Sequence, residues 1–450
     1  MSTLPLNVKK YLAKYGTEVR PLELRLSEQF EIIVVVPALS EYENIQRLLA
    51  SLQVADSTYA GKILVLFVVN NLKSSDEEVK GDNKKTIEFL GAYQSEKKSQ
   101  NNFSVGFIDA ATEGNELDEK NGGVGLARKI GMDTALSLFN YGSTKKKILV
   151  CLDADCTVSQ NYFTEIFEAF NRKNLHAAVT SFQHSLANEE NREAILCYEI
   201  FLRYYVLSLR FAGSPYAFHT IGSTMICDVD SYIKVEGMNK QKAAEDFYFL
   251  EKLSKNVSID EIKSAVVFPS SRGSWRVPFG TGQRVNRYMS KVQNEYLLYN
   301  FNSFIILKEW LQLLLSNNFT AKEFLAEAEK IHSSLFAFLT EQKFEKTWTE
   351  ILRTTKTDEQ LQRQKNIWFD GFKTLKLIHC LRDNGFPLQP MFASLNLLFK
   401  EMKVSERSRL QSGEIDFKSE EEIPPFKVQK KYLEVLRFED ANKASYHRLR

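Results

Sequence analysis

Between residues 31 and 290, continuous apolar runs alternate with segments whose apolar residues recur at helical spacing. The continuous runs are typical of strands buried on both faces, and they lie in FEIIVVVPALSE, GKILVLFVVNN, FSVGFIDA, KKILVCLDAD and AAVTSFQH. Helical spacing, clearest at Ile45, Leu48, Leu49 and Leu52, occurs in EYENIQRLLASL, GGVGLARKIGMDTALSLF and QNYFTEIFEAF. This alternation predicts an α/β fold with a mostly parallel sheet flanked by helices on both faces.

The pattern changes at both ends of this region. Residues 1–30 predict an irregular or partly helical leader, and strand-like runs disappear after about residue 300. Later segments, among them FIILKEWLQLLL and AKEFLAEAEKIHSSLFAFL, keep only the helical spacing. Because 450 residues are too many for one ordinary core, we predict three parts. They are the leader (1–30), an α/β domain (31–290) and a helical C-terminal extension (291–450).

Composition places the chain among ordinary soluble globular proteins, with 44% hydrophobic and 26% charged residues. The net charge of +2 gives no electrostatic case for nucleic acid as a partner. The five cysteines include no CxxC pair, and several lie in apolar runs, which predicts reduced and buried thiols. Since the N-terminus shows no signal-peptide pattern, we expect a cytoplasmic protein.

The most apolar long segment runs from Ala194 to Gly213 and contains Glu199, Arg203 and Arg210. Three charges make a membrane span unfavourable, so we predict a buried or groove-lining helix. The aromatic residues and two arginines of the segment leave peripheral contact with a membrane surface as the alternative.

Polar side chains follow three of the predicted strands at the point where each strand ends. Pro37 to Glu41 come after the first strand, Asn70 and Asn71 after the second, and Asp153 and Asp155 after the fourth. Ligands of parallel α/β sheets bind outside the carboxyl ends of the strands. We therefore expect these three groups to line one binding site.

Five motifs, in order along residues 30–290, make the chain resemble the family-2 glycosyltransferases, which have the type-A nucleotide-sugar-binding fold. VVVPALSEYENI is similar to that family's opening strand and loop, and GVGLARKIGMDTAL to its glycine-started helix. LDADC occupies the place of the DxD motif, AAEDFYFLEKL that of the later ED motif, and SSRGSWRVPFGTG resembles a loop that follows it. The chain departs from the pattern at Leu39 and Ser40, and at Asn70, where many members have an aspartate that reads the nucleobase.

The resemblance implies that residues 31–290 bind a nucleotide-sugar donor and catalyse transfer of its sugar, with inversion, to an acceptor hydroxyl. It implies a hexosyltransferase-like enzyme that acts on a glycan or lipid-linked acceptor, in the synthesis of surface polysaccharide or glycan. The candidate donor-binding residues are Pro37, Leu39, Glu41, Asn70, Arg128, Asp153 and Arg276, of which Leu39 and Asn70 are departures from the family pattern. The sugar, the nucleotide and the oligomeric state stay open.

Two aspartates one residue apart repel each other unless a cation lies between them. Mg²⁺ and Mn²⁺ prefer oxygen ligands, and such an ion stabilises the charge on a departing diphosphate. If the strand continues through Asp153 and Asp155, its alternation turns both carboxylates to one face and Ala154 to the other. We expect Asp155 to bind the metal and Asp153 to bind the metal or the ribose. The alternative is a helix-capping turn.

Glycosyl transfer also needs a base for the proton of the acceptor hydroxyl. Asp246 is the candidate base, with Glu245 shaping its surroundings, because the apolar FYFL beside them can desolvate the carboxylate and raise its pKa. The alternative is an acidic helix N-terminus that is favoured by the helix dipole.

Basic and glycine-rich segments complete the predicted site. Gly122, Gly123 and Gly125 allow close approach of a phosphate, and Arg128 or Lys129 then meets the donor, unless the segment is a plain loop-to-helix junction. Another glycine-rich segment carries three arginines that can close over the diphosphate or form a solvated basic loop, namely Arg272, Arg276 and Arg284. A further candidate is His219, as a third metal ligand, an acceptor contact or a structural histidine.

Two alternatives to a glycosyltransferase remain, one of them a different enzyme and the other a non-catalytic protein. The run LDADCTV also fits the signature of haloacid-dehalogenase-like phosphatases, in which Asp153 would be the nucleophile. That motif usually opens its domain, whereas about 120 residues of α/β pattern precede it here, and the expected downstream lysine and acidic pair are missing. A non-catalytic nucleotide-sugar-binding protein is the second alternative, because the Pro37–Glu41 loop and Asn70 depart from the family pattern.

Overall fold

A computed structural model describes residues 4–24, 29–56, 58–96, 102–273, 280–404 and 423–442. The chain forms two compact units, each made of two segments. Unit 1 comprises Met1–Ser185 and Thr220–Gln283, and unit 2 comprises Leu186–His219 and Arg284–Arg450. These units differ from the predicted boundaries, since residues 186–219 group with the C-terminal helices and residues 1–30 group with the α/β unit.

Unit 1 contains, in the part of the chain that the structure describes, a nine-stranded mixed sheet in the order β1-β4-β3-β2-β5-β8-β7-β9-β6. The strands are β1 (Leu22–Glu23), β2 (Ile32–Ala38), β3 (Ile63–Asn70), β4 (Ser104–Ala110), β5 (Ile148–Cys151), β6 (Thr157–Val158), β7 (Ala177–Phe182), β8 (Met225–Asp228) and β9 (Ile259–Phe268). Strands β4, β3, β2, β5, β7 and β9 share one direction, and β1, β8 and β6 run opposite. The mostly parallel sheet is thus confirmed in outline, with antiparallel strands added.

Helices precede and connect these strands along the chain of unit 1. They are α1 (Leu6–Tyr15), α2 (Tyr42–Gln53), α3 (Glu77–Glu96), α4 (Val124–Ala135), α5 (Tyr162–Arg172), α7 (Val229–Lys234) and α8 (Glu245–Ser254). Helix α2 buries Ile45, Leu48, Leu49 and Leu52, the positions that its apolar spacing indicates. Strands β2 and β3 are buried along almost their whole length, as their continuous apolar runs predict.

Strand β8 interrupts the parallel order for a topological reason. Strand β7 ends at the carboxyl edge of the sheet, and after residues 186–219 the chain returns to unit 1 at Thr220 on the same edge. The next strand must therefore start at that edge and run backwards, between β5 and β7. No apolar pattern in the sequence specifies this return.

The predicted leader is an ordered part of unit 1. Tyr11 of α1 donates from its hydroxyl to Oδ1 of Asp133 on α4, at 2.8 Å, and the amide of Thr17 donates to Oδ2 at 3.0 Å. Asp133 also forms a buried ion pair with Lys129, with 3.1 Å between Nζ and Oδ2. Residues 6–17 are therefore attached to α4 by buried polar contacts.

Unit 2 is helical, as the C-terminal pattern predicts. Its helices are α6 (Arg192–Phe211), α9 (Thr281–Met289, which begins within the last residues of unit 1), α10 (Phe301–Ser316), α11 (Ala321–Ile331), α12 (Ser333–Glu341), α13 (Phe344–Thr354), α14 (Asp358–Trp368), α15 (Gly371–Asp383), α16 (Met391–Glu401) and α17 (Phe426–Ala441). Two short strands, β10 (Leu297–Leu298) and β11 (Gln389–Pro390), pair antiparallel. The core includes the buried rings of Trp310, Phe324, Phe344 and Trp348.

The apolar segment 194–213 forms most of helix α6. Twelve side chains of this helix are buried, among them Glu199 and Arg203. In the described part of the chain, no helix combines the length and the apolar character that a bilayer crossing needs. All five cysteines are free thiols, and Cys151, Cys156, Cys197 and Cys227 are buried.

Candidate active site

The carboxyl edge of the sheet in unit 1 collects loops from several strands. The loop after β2 carries Glu41, the end of β3 carries Asn70, and the turn after β5 carries Asp153 and Asp155. The segment after β9 adds Arg272, because β9 runs parallel to β7 and ends at the same edge. The structure thus brings these groups to one edge of the sheet, and that they line one binding site stays a prediction.

Arg128 on α4 is the buried centre of this edge. Its Nη1 contacts Oε1 of Glu245, and its Nη2 contacts Oδ1 of Asp153, while the side chain is only 3% exposed. Burial by itself would lower the pKa of Arg128, but the carboxylates of Asp153 and Glu245 outweigh it and raise that pKa. The guanidinium therefore stays charged and joins two motifs that lie far apart in the sequence.

The glycines around Arg128 allow protein segments to approach it closely. A Cβ on Gly125 would overlap the carbonyl oxygen of Gln241, and one on Gly131 would overlap Val35 of β2. A Cβ on Gly222, just before β8, would overlap the Arg128 guanidinium itself. In this structure the glycines serve the packing of α4, which favours the loop-to-helix alternative over the phosphate-binding interpretation.

The DxD segment is a turn and not the end of a strand. Strand β5 ends at Cys151, and the amide of Cys156 donates to the carbonyl of Asp153 at 3.1 Å. The side chains of Asp153 and Asp155 are 36% and 26% exposed, whereas Ala154 is buried. The two carboxylates are therefore more exposed than Ala154, as expected. The cause is a turn after Cys151 and not the strand alternation expected from the sequence.

Arg272 connects two of the acidic loops. Its Nη2 lies 3.3 Å from Oδ2 of Asp155 and also contacts Oε1 of Glu41. Glu41 is buried at the start of α2, where its other carboxylate oxygen accepts a hydrogen bond from Asn44. One guanidinium nitrogen is thus shared between carboxylates from two separate loops.

Glu245 and Asp246 form the first turn of α8, directly after Ala244, whose φ of 58° lies in the left-handed region. Such a conformation is costly for a residue with a side chain, and it is found often at functional sites. Burial, together with the charge of Glu245, raises the pKa of Asp246 to about 7. Burial also raises the pKa of Glu245, although Arg128 opposes the shift.

A network of amides holds the loop after β2 against the end of β3. Asn83 on α3 donates to the carbonyl of Asn70 at 3.0 Å and to Oδ1 of Asn71 at 2.9 Å. Its own Oδ1 accepts from the amide of Ser40, which has a φ of 54°. Asn70 is 5% exposed, and its Oδ1 has no hydrogen-bond partner within the described part of the chain.

Sequence reasoning missed Asn83 and Gly222. Asn83 lies on a helix that the apolar pattern does not single out, and Gly222 gains its role only from its position over Arg128. The sequence of α3 carries no signal that marks Asn83 as part of the site.

Other predicted residues lie elsewhere. Pro37 is part of β2, in register with Val68, and Leu39 is half-buried in the loop that follows. Lys129 contacts Asp133 and Tyr11. Arg128, the other basic residue of α4, contacts Asp153 and Glu245 at the edge of the sheet. Arg276 lies outside the described residues.

Two candidates belong to unit 2. His219 approaches Oδ2 of Asp440 with its Nε2, at 2.7 Å, and Arg284 pairs with Glu295. The Asp440 contact engages Nε2 of His219, which favours the structural alternative for this histidine over metal ligation.

The donor set of the site fits a divalent cation. Among the described residues, the carboxylates of Glu41, Asp153, Asp155 and Glu245 contact the guanidiniums of Arg128 and Arg272. All of these donors are oxygen atoms, the kind that Mg²⁺ and Mn²⁺ prefer. The described residues contain no group of three His, Cys, Asp or Glu side chains that could hold a metal ion, so the protein would supply one or two carboxylates, as is usual for an ion that also binds substrate phosphates.

Comparisons with known proteins give weak similarities. No protein-family model and no curated protein matches the chain. The solved structures that align with it include S. aureus TarS, at 13% identity and a TM-score of 0.36, over 75% of this chain and 55% of that one. TarS 1–349 in complex with UDP-GlcNAc aligns at 13% identity and a TM-score of 0.34, over 91% of this chain and 90% of that one.

A further alignment is with the mannosyltransferase PcManGT from Pyrobaculum calidifontis in complex with GDP-Man and Mn²⁺. It has 11% identity and a TM-score of 0.37, and it covers 97% of this chain and 93% of that one. The chain thus spans about half the length of the longer TarS structure and most of the other two. At such identities and TM-scores, none of these alignments assigns a family.

Proposed function

We propose that the chain is a metal-dependent, inverting glycosyltransferase of the type-A fold, which moves a sugar from a nucleotide-sugar donor to an acceptor hydroxyl. The observation that carries this proposal is the pairing of one buried arginine, Arg128, with both Asp153 and Glu245. The pairing joins the DxD turn to the acidic first turn of α8, where Asp246 lies. The two motifs therefore belong to one site, as a metal-assisted transfer with a nearby base requires.

Asp155 and Asp153 are the residues that would hold Mg²⁺ or Mn²⁺, because both are partly exposed carboxylates at the edge of the sheet. When bound, such an ion supplies Lewis-acid stabilisation of the departing nucleoside diphosphate. Arg128 contributes a fixed positive charge beneath Asp153 and limits its movement. The protein thereby positions the acidic groups before any ligand arrives.

Asp246 is the proposed general base. The acceptor oxygen forms its bond to the anomeric carbon while the bond from that carbon to the diphosphate oxygen breaks, and the hydroxyl proton passes to Asp246. A pKa of about 7 places this carboxylate close to the pH at which a base is most effective. We expect transfer to slow as the pH falls below about 7, because the protonated form of Asp246 cannot accept a proton.

Asn70 is the proposed contact for the nucleobase. Its buried Oδ1, which lacks a partner in the described part of the chain, needs an N–H donor, and a base edge that carries one would satisfy it. The loop from Pro37 to Glu41 and Arg276 complete the proposed donor site, and a glycan or lipid-linked molecule is the proposed acceptor.

The phosphatase alternative has less support from the geometry. Its nucleophile would be Asp153, and Oδ1 of that residue is engaged by the buried guanidinium of Arg128. A carboxylate that is held by a permanent charge is a weaker nucleophile than a free one.

The proposal is tested by a donor panel, which includes UDP-GlcNAc and GDP-mannose, in a melting-shift assay with and without Mn²⁺. A donor at about a hundred times its Kd should raise the melting temperature by roughly 3–5 °C when Mn²⁺ is present. Asp155→Ala should remove the Mn²⁺-dependent part of the shift. Asp230→Ala, which changes an exposed carboxylate in the first turn of α7, is the matched control and should keep it.

Donors that bind are then incubated with candidate acceptors, and nucleoside diphosphate release is measured. If no donor shifts the melting temperature under either condition, the proposed function is wrong. If a donor binds but neither any acceptor nor water consumes it, a non-catalytic nucleotide-sugar-binding protein becomes the better description.

A further inference from the structure

Arg272 lies where a metal ion would meet the acidic loops. It follows strand β9, and its Nη2 lies 3.3 Å from Oδ2 of Asp155 while it also contacts Oε1 of Glu41. Asp155 is the residue that the proposed function assigns to the divalent cation. The guanidinium therefore already uses a carboxylate oxygen that the ion would need.

The two arginines of the site are held very differently. Arg128 is 3% exposed, projects from the middle of a helix, and gives each of its two carboxylate partners a separate nitrogen. Arg272 is 33% exposed, lies in an irregular segment, and shares one nitrogen between two partners. The pair of Arg272 with Asp155 is partly exposed on both sides, and such ion pairs contribute little net stability, so Arg272 can leave Asp155 at small cost.

A divalent ion and the guanidinium cannot occupy the same oxygen of Asp155, and their like charges repel each other. We propose that Arg272 is an internal counter-cation that competes with the divalent ion for Asp155 and Glu41, and that entry of the ion releases Arg272 from Asp155. This inference rests on the proposed function, because the ion is the one assigned there to Asp155.

The competition has a consequence for the ion-free protein and another for the donor. Without the ion, Arg272 offsets part of the repulsion among the carboxylates and links the loop after β2 to the turn after β5. Once released, its planar guanidinium stays at the same edge and suits bidentate contact with phosphate oxygens. Ion binding and donor binding are therefore coupled through Arg272.

The first test measures Mn²⁺ binding to the full chain without any donor, by the EPR signal of the free ion. Arg272→Gln should bind Mn²⁺ roughly two- to fivefold more tightly than wild type, the range expected for removing a partly exposed competing charge. Arg287→Gln is the matched control. Arg287 also pairs with a glutamate and is 26% exposed, so it loses the same charge from a similar ion pair, and its Kd should change less than twofold.

The outcomes separate this inference from the proposed function. If wild type binds Mn²⁺ and Arg272→Gln binds it equally or more weakly, the competition is wrong while the proposed function stands. If Arg287→Gln tightens binding as much as Arg272→Gln, the effect is one of net charge and the inference is also wrong. If neither wild type nor Arg272→Gln binds Mn²⁺ without donor, the inference is wrong, whereas the metal dependence is decided by the Mn²⁺-dependent donor shift, because substrate phosphates can supply the missing ligands.

A second test restores the competitor chemically. Arg272→Ala leaves space for a free guanidinium ion, so millimolar guanidinium chloride should weaken Mn²⁺ binding to this variant more than to wild type, at an ionic strength matched with NaCl. Thermal melts monitored by circular dichroism confirm that the variant is folded. An equal response of wild type and variant to guanidinium would overturn the competition for a shared position.

Discussion

Each unit contains a buried cluster of arginines and carboxylates, and the two clusters have opposite excess charge. The unit 1 cluster consists of Arg128, Asp153, Glu245 and Asp246, with one guanidinium among three acidic groups. In the unit 2 cluster, three arginines and a histidine surround two carboxylates; its members are Glu199, Arg203, Arg210, His219, Arg437 and Asp440.

The difference appears directly in the carboxyl groups. Burial works against the ionised form of Asp440, but His219, Arg210 and Arg203, all within 2.7 Å, outweigh it and lower the pKa of Asp440 below its ordinary range. Asp246 has a nearby acidic group and only one shared arginine, and its pKa rises to about 7. A buried ion network with excess cations thus keeps its acids permanently charged, which suits a structural role. A network with excess acids leaves one of them able to exchange a proton.

The largest effect is expected from Asp246→Asn. If the excess acid of the unit 1 cluster is the base, transfer should fall about a thousandfold, while donor binding is kept and the chain stays folded. The measurement is nucleoside diphosphate release with acceptor, alongside the donor melting shift. Asp230→Asn, in the first turn of α7, is the control. Loss of donor binding in Asp246→Asn, or unchanged turnover, would contradict the role.

In the unit 2 cluster the matching change is Asp440→Asn. It leaves Arg203, Arg210 and His219 without their shared counter-charge, so the free energy of unfolding should drop by about 3–5 kcal/mol. Hydrogen exchange of amides in α6 and α17 localises the loss. Lys330→Gln removes an exposed ion pair with Glu327 and should change stability by less than about 0.5 kcal/mol. Equal losses of unfolding free energy in Asp440→Asn and Lys330→Gln would contradict the structural role of the unit 2 cluster.

A smaller effect is expected from Gly222→Ala. The added methyl would overlap the Arg128 guanidinium, which cannot move without loosening Asp153 or Glu245. We expect a loss of about 1–3 kcal/mol in unfolding free energy, as in other overpacked sites, and weaker Mn²⁺-dependent donor binding. Gly91→Ala, on α3 with open space around the added carbon, is the control and should not destabilise. Unchanged stability and binding in Gly222→Ala would show that Arg128 adapts.

The pH dependence of stability should have opposite sign in the two clusters. The folded pKa of Asp246 is about 7 against an ordinary value of 3.8, so between these values the folded chain holds a proton that the unfolded chain has released. Its contribution to stability is therefore present at low pH and declines as the pH rises to about 7, by at most about 1.4 kcal/mol per pH unit. Asp440 has a lowered folded pKa, so its contribution is present above about pH 4 and is lost as the pH falls further.

Denaturant unfolding of wild type and both variants from pH 3 to pH 8 tests these signs. Asp246→Asn should flatten the decline between about pH 4 and pH 7, and Asp440→Asn should flatten the loss at low pH. If the two variants flatten the same part of the curve, the assignment of opposite excess charges is wrong.

Much of the α/β framework follows from local pattern. The apolar runs that contain Ile32–Ala38 and Ile63–Asn70 predict β2 and β3, and the helical spacing after them predicts α2. Strand β8 and the membership of residues 186–219 in unit 2 do not follow, because they depend on where the chain returns to the sheet. The assumed strand through Asp153 and Asp155 fails because the chain turns after Cys151, and apolar pattern does not report turns inside a polar motif.

The order of motifs and the residue types at strand ends are properties of the sequence, since buried strands need apolar runs and the site needs oxygen ligands and a base. Which charges meet is a property of the fold. Arg128 and Glu245 are 117 residues apart, and Arg203 and Asp440 are 237 apart, so no local pattern distinguishes a proton-exchanging cluster from a structural one. Folding sets the ratio of acids to bases in each buried cluster, and that ratio sets the pKa of its carboxyl groups.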